Sequence, residues 1–343
     1  MMSREKLRGC AIFLFLLFHS CGFTPDCPEP DAGDLSYPVD GIIVDERLYV
    51  LNSDENFDYC SSFISIFELE GAEVKPTGII FPKNYEDFTL AGRLVFANGR
   101  IFVTERGKGM VFVFSEKNGE VISYFEEGGN PYDILFVEGE SKNYLVTANI
   151  KTYALTVYEE RDTTYERLYS FFYPYPPLSM LYDKNSKRIF VALSGSSEIA
   201  AIEFDPLHID PPLSKSTSVS PDGSISSLKA LSLSRNGMYA VAESPPSLLF
   251  VNTDLSSSSL LHFFKERVFS LEIVEEKNLL IALSPLEDAA YGFSLNPFLF
   301  LWRIRVKGNP VRSIYSQKTN LIYFLPMMEK KIRVFNPETL ELK

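Results

Sequence analysis

Residues 128–160, GGNPYDILFVEGESKNYLVTANIKTYALTVYEE, hold three apolar runs of four or five residues separated by polar turns. ILFV, YLVTA and ALTVY are rich in β-branched and aromatic side chains and bounded by Gly, Asn, Asp and Ser. That is the composition of strands joined by hairpins. None of the runs has the length, the 3.6-residue period or the caps of a helix.

The same order recurs along the chain. Residues 38–53 (PVDGIIVDERLYVLNS) and 63–69 (FISIFEL) form a first copy, and 91–105 (AGRLVFANGRIFVTE) with 110–125 (MVFVFSEKNGEVISYF) a second. Residues 178–204, 228–253, 268–304 and 309–343 supply the fourth to seventh. Seven units over residues 38–343 average about 44 residues, and each holds three or four strands. The second run of each unit is nearly continuous in apolar residues, as expected of a strand packed on both faces. Radial closure of such units removes exposed sheet edges. The sequence therefore predicts an all-β fold, a seven-bladed β-propeller with blades of three to four antiparallel strands. Only Leu340–Lys343 remain for a fourth strand in the last unit. Residues 22–37 are then expected beside that blade as its outer strand, or packed across a three-stranded blade. Residues 205–225 read as a hairpin loop of the fourth blade, and Trp302 as part of the third strand of the sixth.

Composition limits the chemistry. The 343 residues include 28 Phe, 18 Tyr, 21 Pro and 19 Gly, and 33 basic against 45 acidic side chains give a net charge of −12. That acidity argues against nucleic acid as a partner, because phosphate backbones require a basic surface. Three His and four Cys leave little for metal or nucleophile chemistry, and no cofactor motif is present. Ser226 and Lys229 have an S-x-x-K spacing, but it enters a strand and not the helix turn that would align them. Asp54, Asn56 and Asp58 alternate like the start of a calcium loop, yet Tyr59 stands where Gly is needed and Ser65 where Glu is needed.

Residues 128–160 and 307–343 resemble the YVTN-type propeller repeats of exported bacterial proteins. The shared features are Gly-x-Pro before the first strand, Asn after the second, and an Asn-x-x-Thr turn, here Asn336 to Thr339. The resemblance implies a propeller and an extracytoplasmic location. It is strongest in the third and seventh units and faint in the fifth and sixth.

The N-terminus points the same way. Arg4, Lys6 and Arg8 precede nine apolar residues, 10–18 (CAIFLFLLF), and then His19-Ser20-Cys21-Gly22. A basic start, a short apolar run and small residues form a secretory signal, and nine residues are too few to span a bilayer. Phe18 to Cys21 resemble the bacterial lipobox, which implies a signal peptide over 1–20, lipidation at Cys21, an anchor or linker over 21–37, and a place in the bacterial cell envelope. Cleavage after Gly22 is the competing outcome. Removing residues 1–20 leaves a net charge of −14, so the membrane would be a partner through acyl chains and not through electrostatic attraction. The two other cysteines, Cys27 and Cys60, form either a disulfide worth about 3–4 kcal/mol or two free thiols.

Charged and polar residues at otherwise apolar strand ends mark the central channel as the place for a site. Asp40, Asp133, Lys229 and Arg312, with Ser179 and Ser270, lie near the starts of first strands. Asn52, Glu105, Asn149 and Glu243 follow second strands. Two functions fit this pattern. One is a non-enzymatic binding or scaffolding module, lipid-anchored outside the cytoplasm. The other is a lactonase-like hydrolase, which requires carboxylates such as Asp40, Glu105, Asp133 and Glu243 to converge.

Overall fold

The computed structural model describes residues 28–53, 61–82, 88–207, 214–220 and 223–343. The signal peptide, Cys21, the Cys27–Cys60 pair and the Asp54–Asp58 series lie outside the described residues. Among the described residues, twenty-eight strands form seven four-stranded antiparallel sheets, each built from four consecutive strands. Blade 1 comprises β1 (Pro38–Val44), β2 (Arg47–Asn52), β3 (Phe63–Glu70) and β4 (Glu73–Ile80), and blade 2 comprises β5 (Ala91–Ala97), β6 (Arg100–Glu105), β7 (Met110–Ser115) and β8 (Val121–Glu126). Blade 3 holds β9 (Pro131–Glu138), β10 (Asn143–Asn149), β11 (Ala154–Arg161) and β12 (Thr164–Phe172), and blade 4 holds β13 (Pro177–Asp183), β14 (Arg188–Leu193), β15 (Glu198–Glu203) and β16 (Ser214–Ser218). Blade 5 is β17 (Ser226–Ser234), β18 (Gly237–Ser244), β19 (Pro246–Val251) and β20 (Ser258–Phe263). Blade 6 is β21 (Ser270–Val274), β22 (Leu279–Ser284), β23 (Ala289–Leu295) and β24 (Phe298–Arg305), and blade 7 is β25 (Pro310–Ser316), β26 (Leu321–Pro326), β27 (Arg333–Asn336) and β28 (Glu341–Leu342). The fold is the seven-bladed β-propeller that the repeat predicts.

The second strands explain their own composition. Leu48, Tyr49, Val50 and Leu51 of β2 are wholly buried. Leu48 and Val50 pack with Tyr323 and Leu325 of blade 7, while Tyr49 and Leu51 pack with Ile101 and Val103 of blade 2. Successive side chains of a strand point to opposite faces, so a strand sandwiched between two blades must be apolar at every position. Each such side chain contributes about 1.5–3 kcal/mol. Turns follow local chemistry: Asn98 and Gly99 join β5 to β6 with φ of 52° and 70°, the two positive angles a tight type I′ hairpin requires.

Closure differs from the expectation. The outer strand of blade 7 is β28, paired to β27; of the segment expected there, the described residues 28–37 form no strand. The Asn336 side chain accepts from the amides of Glu338 and Thr339 at 2.9 and 3.3 Å and reverses the chain within three residues. Lys343 and Val334 then exchange backbone hydrogen bonds of 2.8 and 3.1 Å. The described segment before blade 1 nevertheless reaches blade 7, because Leu35 packs with Ile332 and Val334 in the seam between blades 7 and 1. Trp302 lies on the fourth strand of blade 6, not the third, and rests on Phe335. β16 falls within the segment read as a loop; its Ser-Lys-Ser-Thr-Ser sequence is polar because an outer strand packs on one edge only.

A candidate binding site at the mouth of the central channel

A β-bulge near the start of the innermost strand recurs in six blades. The register shifts between Pro38 and Asp40, Ala91 and Leu94, Pro177 and Ser179, Leu228 and Ala230, and Pro310 and Arg312, and β9 skips Tyr132 between Pro131 and Asp133. A bulge re-aims the side chain of the extra residue. Val39, Gly92, Tyr132 and Val311 are such residues, and they line one mouth of the channel together with Phe269, the residue before β21. Lys229 is the bulged residue of blade 5.

The next residue inward faces the channel interior, and there the polar candidates are used to join blades. Asp40 is buried and accepts from the Leu94 amide of blade 2 at 3.1 Å. Asp133 accepts from the Met180 amide of blade 4 at 2.7 Å, and Ser179 from the Leu231 amide of blade 5 at 3.1 Å. Arg93 lies 3.5 Å and Arg312 3.1 Å from Asp40 Oδ1. These residues surround an internal cavity of about 340 Å³ that Glu272 also lines. Burial raises the pKa of Asp133, with Arg93 partly offsetting it. Burial opposes the charge of Arg93, yet Asp40 and then Asp133 hold its pKa above the ordinary value. Burial pushes Glu272 up to about 7 against the opposing Arg312.

The candidates that follow second strands anchor the segment entering their own blade. Asn52 accepts from the Ser36 amide at 3.0 Å, and Asn149 from the Asn130 amide at 3.1 Å. Glu105 is wholly buried and accepts from the Leu90, Gly107 and Lys108 amides at 3.0, 2.9 and 2.7 Å, and from the Thr89 hydroxyl at 3.2 Å. Glu243 accepts from Ser227 at 2.8 Å and lies 3.9 Å from Lys229. Asp40 and Asp133 thus share the internal cavity, whereas Glu105 holds its own loop and Glu243 is engaged by the side chains of Ser227 and Lys229, so the four do not come together at one point. Among the described residues no group of three or more His, Cys, Asp and Glu is placed to hold a metal ion.

The mouth itself is a cavity of about 290 Å³. Tyr37, Tyr132, Phe269, Leu286 and Met327 make its apolar walls, and Arg93 and Arg106 its charged positions; among the described residues no Asp, Glu or His lines it. Arg106 donates from Nε to Asn130 Oδ1 at 3.1 Å, and its guanidinium lies 5.1 Å from the centre of the Tyr132 ring. Lys229 Nζ lies 4.9 Å from the Phe269 ring centre and 6.0 Å from that of Tyr132. Of the sequence candidates, the structure brings Lys229 to this site and directs Asp40, Asp133 and Arg312 below it. Tyr132, Phe269, Arg93 and Arg106 were not among the candidates. A usable signal was present: Pro38-Val39-Asp40, Pro131-Tyr132-Asp133 and Pro310-Val311-Arg312 each place a mouth residue between a Pro and a polar residue.

No protein-family model matches the chain, and no curated protein matches it. Solved structures do. A Lactobacillus plantarum protein is 13% identical with a TM-score of 0.62, covering 78% of this chain and 84% of its own. A Bacteroides uniformis protein provisionally assigned as a 6-phosphogluconolactonase is 12% identical with a TM-score of 0.65, covering 87% and 90%. The β-propeller domain of Myceliophteria thermophila Cps50 (Swd1) is 9% identical with a TM-score of 0.67, covering 88% and 97%. At such identities the likeness is one of fold.

Proposed function

We propose that the chain is a lipid-anchored, extracytoplasmic propeller of the YVTN-repeat type that binds a ligand at its channel mouth without transforming it. One observation carries the reading: the mouth is lined by aromatic, aliphatic and cationic side chains, while the flanking carboxylates Asp40, Glu105, Asp133 and Glu243 are engaged by backbone amides or neighbouring side chains. A pocket of apolar walls with a few fixed polar groups suits binding. Hydrolysis needs a general acid or base within reach of the reacting atom. The lipid anchor rests on the Ser20-Cys21 pattern after an apolar run. Replacing Cys21 by Ser should move the protein from the membrane to the soluble fraction; unchanged membrane retention overturns the anchor.

The second reading, a lactonase-like hydrolase, is favoured by the provisional 6-phosphogluconolactonase assignments of the Bacteroides structures and by the cations at the mouth. Hydrolysis of plain and phosphorylated sugar lactones, followed by acid release, separates the two. No rate above the spontaneous one is expected. A rate that disappears in Arg106→Gln would replace binding by catalysis.

A further inference from the structure

We infer that the ligand of the channel mouth is a small organic monoanion, a single carboxylate or like group carried on a flat apolar body. The inference rests on reading the mouth as a ligand site and concerns what that site selects.

Charge is the first ground. The chain carries a net charge of −12, yet the mouth lining contains Arg93 and Arg106 and, among the described residues, no acidic one. The cations are not equally available. Asp40 and Asp133 offset Arg93 and Arg312, and Glu243 lies 3.9 Å from Lys229. Arg106 pairs with no carboxylate among the described residues, so the mouth holds about one uncompensated positive charge. One such charge suits a monoanion; a polyphosphate would bring several charges into a site with one free partner.

Geometry is the second ground. Arg106 is fixed from two sides, by its Nε bond to Asn130 and by the face of Tyr132. Its terminal nitrogens have no hydrogen-bond partner among the described residues, which leaves the planar fork a carboxylate accepts bidentately. Gly92 makes room for it: a Cβ there would lie 3.0 Å from Arg106 Cδ and 2.5 Å from Thr104 Oγ1. Gly is the one bulged residue of the ring with no side chain, and it stands where the Arg106 stem crosses.

Shape is the third ground. Tyr37, Tyr132 and Phe269 offer ring faces or edges, with Leu286 and Met327 between them. A volume of about 290 Å³ lies at the lower end of small-molecule sites, which run from about 300 to 1,000 Å³. It admits a group the size of an aromatic ring with a short acid arm.

The test uses the full chain, labelled at methionine and leucine methyls, titrated with phenylacetate, phenylacetamide and phenethylamine. All three carry the same ring and differ in charge. Phenylacetate should shift the Met327 and Leu286 methyls and bind at least about tenfold tighter than the amide, with the amine weakest; tenfold corresponds to about 1.4 kcal/mol. Arg106→Gln should bring the acid to within about twofold of the amide. If that variant does not fold, the wild-type protein still answers, since the acid's affinity should fall with added salt and the amide's should not. Equal binding of acid and amide, tighter binding of the amine, or equal salt response overturns the monoanion while leaving the mouth as a site. Silence of both methyls with all three compounds overturns the monoanion and the site together.

Discussion

Glu105→Gln changes one atom and should cost the propeller more than most substitutions at its surface. The carboxylate is wholly buried and holds four donors: Oε1 takes Thr89, Leu90 and Gly107, and Oε2 takes the Lys108 amide at 2.7 Å. A glutamine can keep its carbonyl toward the three donors on the Oε1 side. Its amide group then faces the Lys108 N–H, donor against donor. One hydrogen bond to a charged acceptor is lost, about 1.5–3 kcal/mol, and a backbone N–H is left unpaired, about 1–3 kcal/mol. Relief of the buried charge offsets part of this, so we expect a loss of about 2–4 kcal/mol. Urea unfolding should show a lower midpoint with an unchanged slope. Glu126→Gln, on the exposed outer strand β8, should stay within about 0.5 kcal/mol and serves as the control. A Glu105→Gln protein as stable as that control would refute the structural role assigned to Glu105. The loop it holds also carries Arg106, so phenylacetate binding should weaken in the same variant.

Three further outcomes follow from the geometry. Glu272 has its folded pKa raised from 4.5 to about 7, so the native state binds more protons than the unfolded chain between those values. Its contribution to stability is complete below about pH 4.5 and is lost as pH rises through 7, and Glu272→Gln should flatten that decline in urea midpoints measured from pH 4.5 to 7.5. Gly41→Ala should destabilise by about 1–3 kcal/mol in thermal or urea unfolding, because its Cβ would lie 2.9 Å from both Ile314 Cδ1 and Leu325 Cδ1 across the seam of blades 7 and 1. Deleting residues 341–343 removes both bonds between Lys343 and Val334 and the packing of Leu342; a midpoint loss worth about 2–4 kcal/mol is expected.

The inner half of each blade was legible because burial on two faces leaves a strong mark. Leu48–Leu51 and Leu321–Leu325 must be apolar throughout, and they are. The outer strands carry no such demand. β16 is Ser-Lys-Ser-Thr-Ser and β28 only two residues, so neither could be read, and β24, which is apolar, was assigned to the wrong rank within its blade. At the inner strands the candidate residues lie one position from those that line the mouth. A bulge slips the register by one and sends neighbours to opposite faces. Asp40, Asp133, Ser179 and Arg312 therefore became links between blades, while Val39, Tyr132 and Val311 turned to the mouth. Lys229 alone was identified at the bulge itself. Tyr132 and Phe269 were indistinguishable from core aromatics, and Arg106 reaches the site from the loop after β6, a direction that no strand periodicity encodes.

Every blade of this ring is covalently complete. Among the described residues no strand crosses from one end of the chain to finish a sheet begun at the other, and the circle is shut by side-chain contacts: Leu35 against Val334, Ile314 over Gly41, and the Tyr323 hydroxyl donating to the Gly71 carbonyl at 2.8 Å. Gly33 and Lys343 border the same surface hollow at that seam. The starting point of the polypeptide is therefore arbitrary with respect to the sheets. Joining the two ends by a short linker and reopening the chain at any crossover between blades would leave all seven sheets intact, giving a family of circular permutants with one architecture.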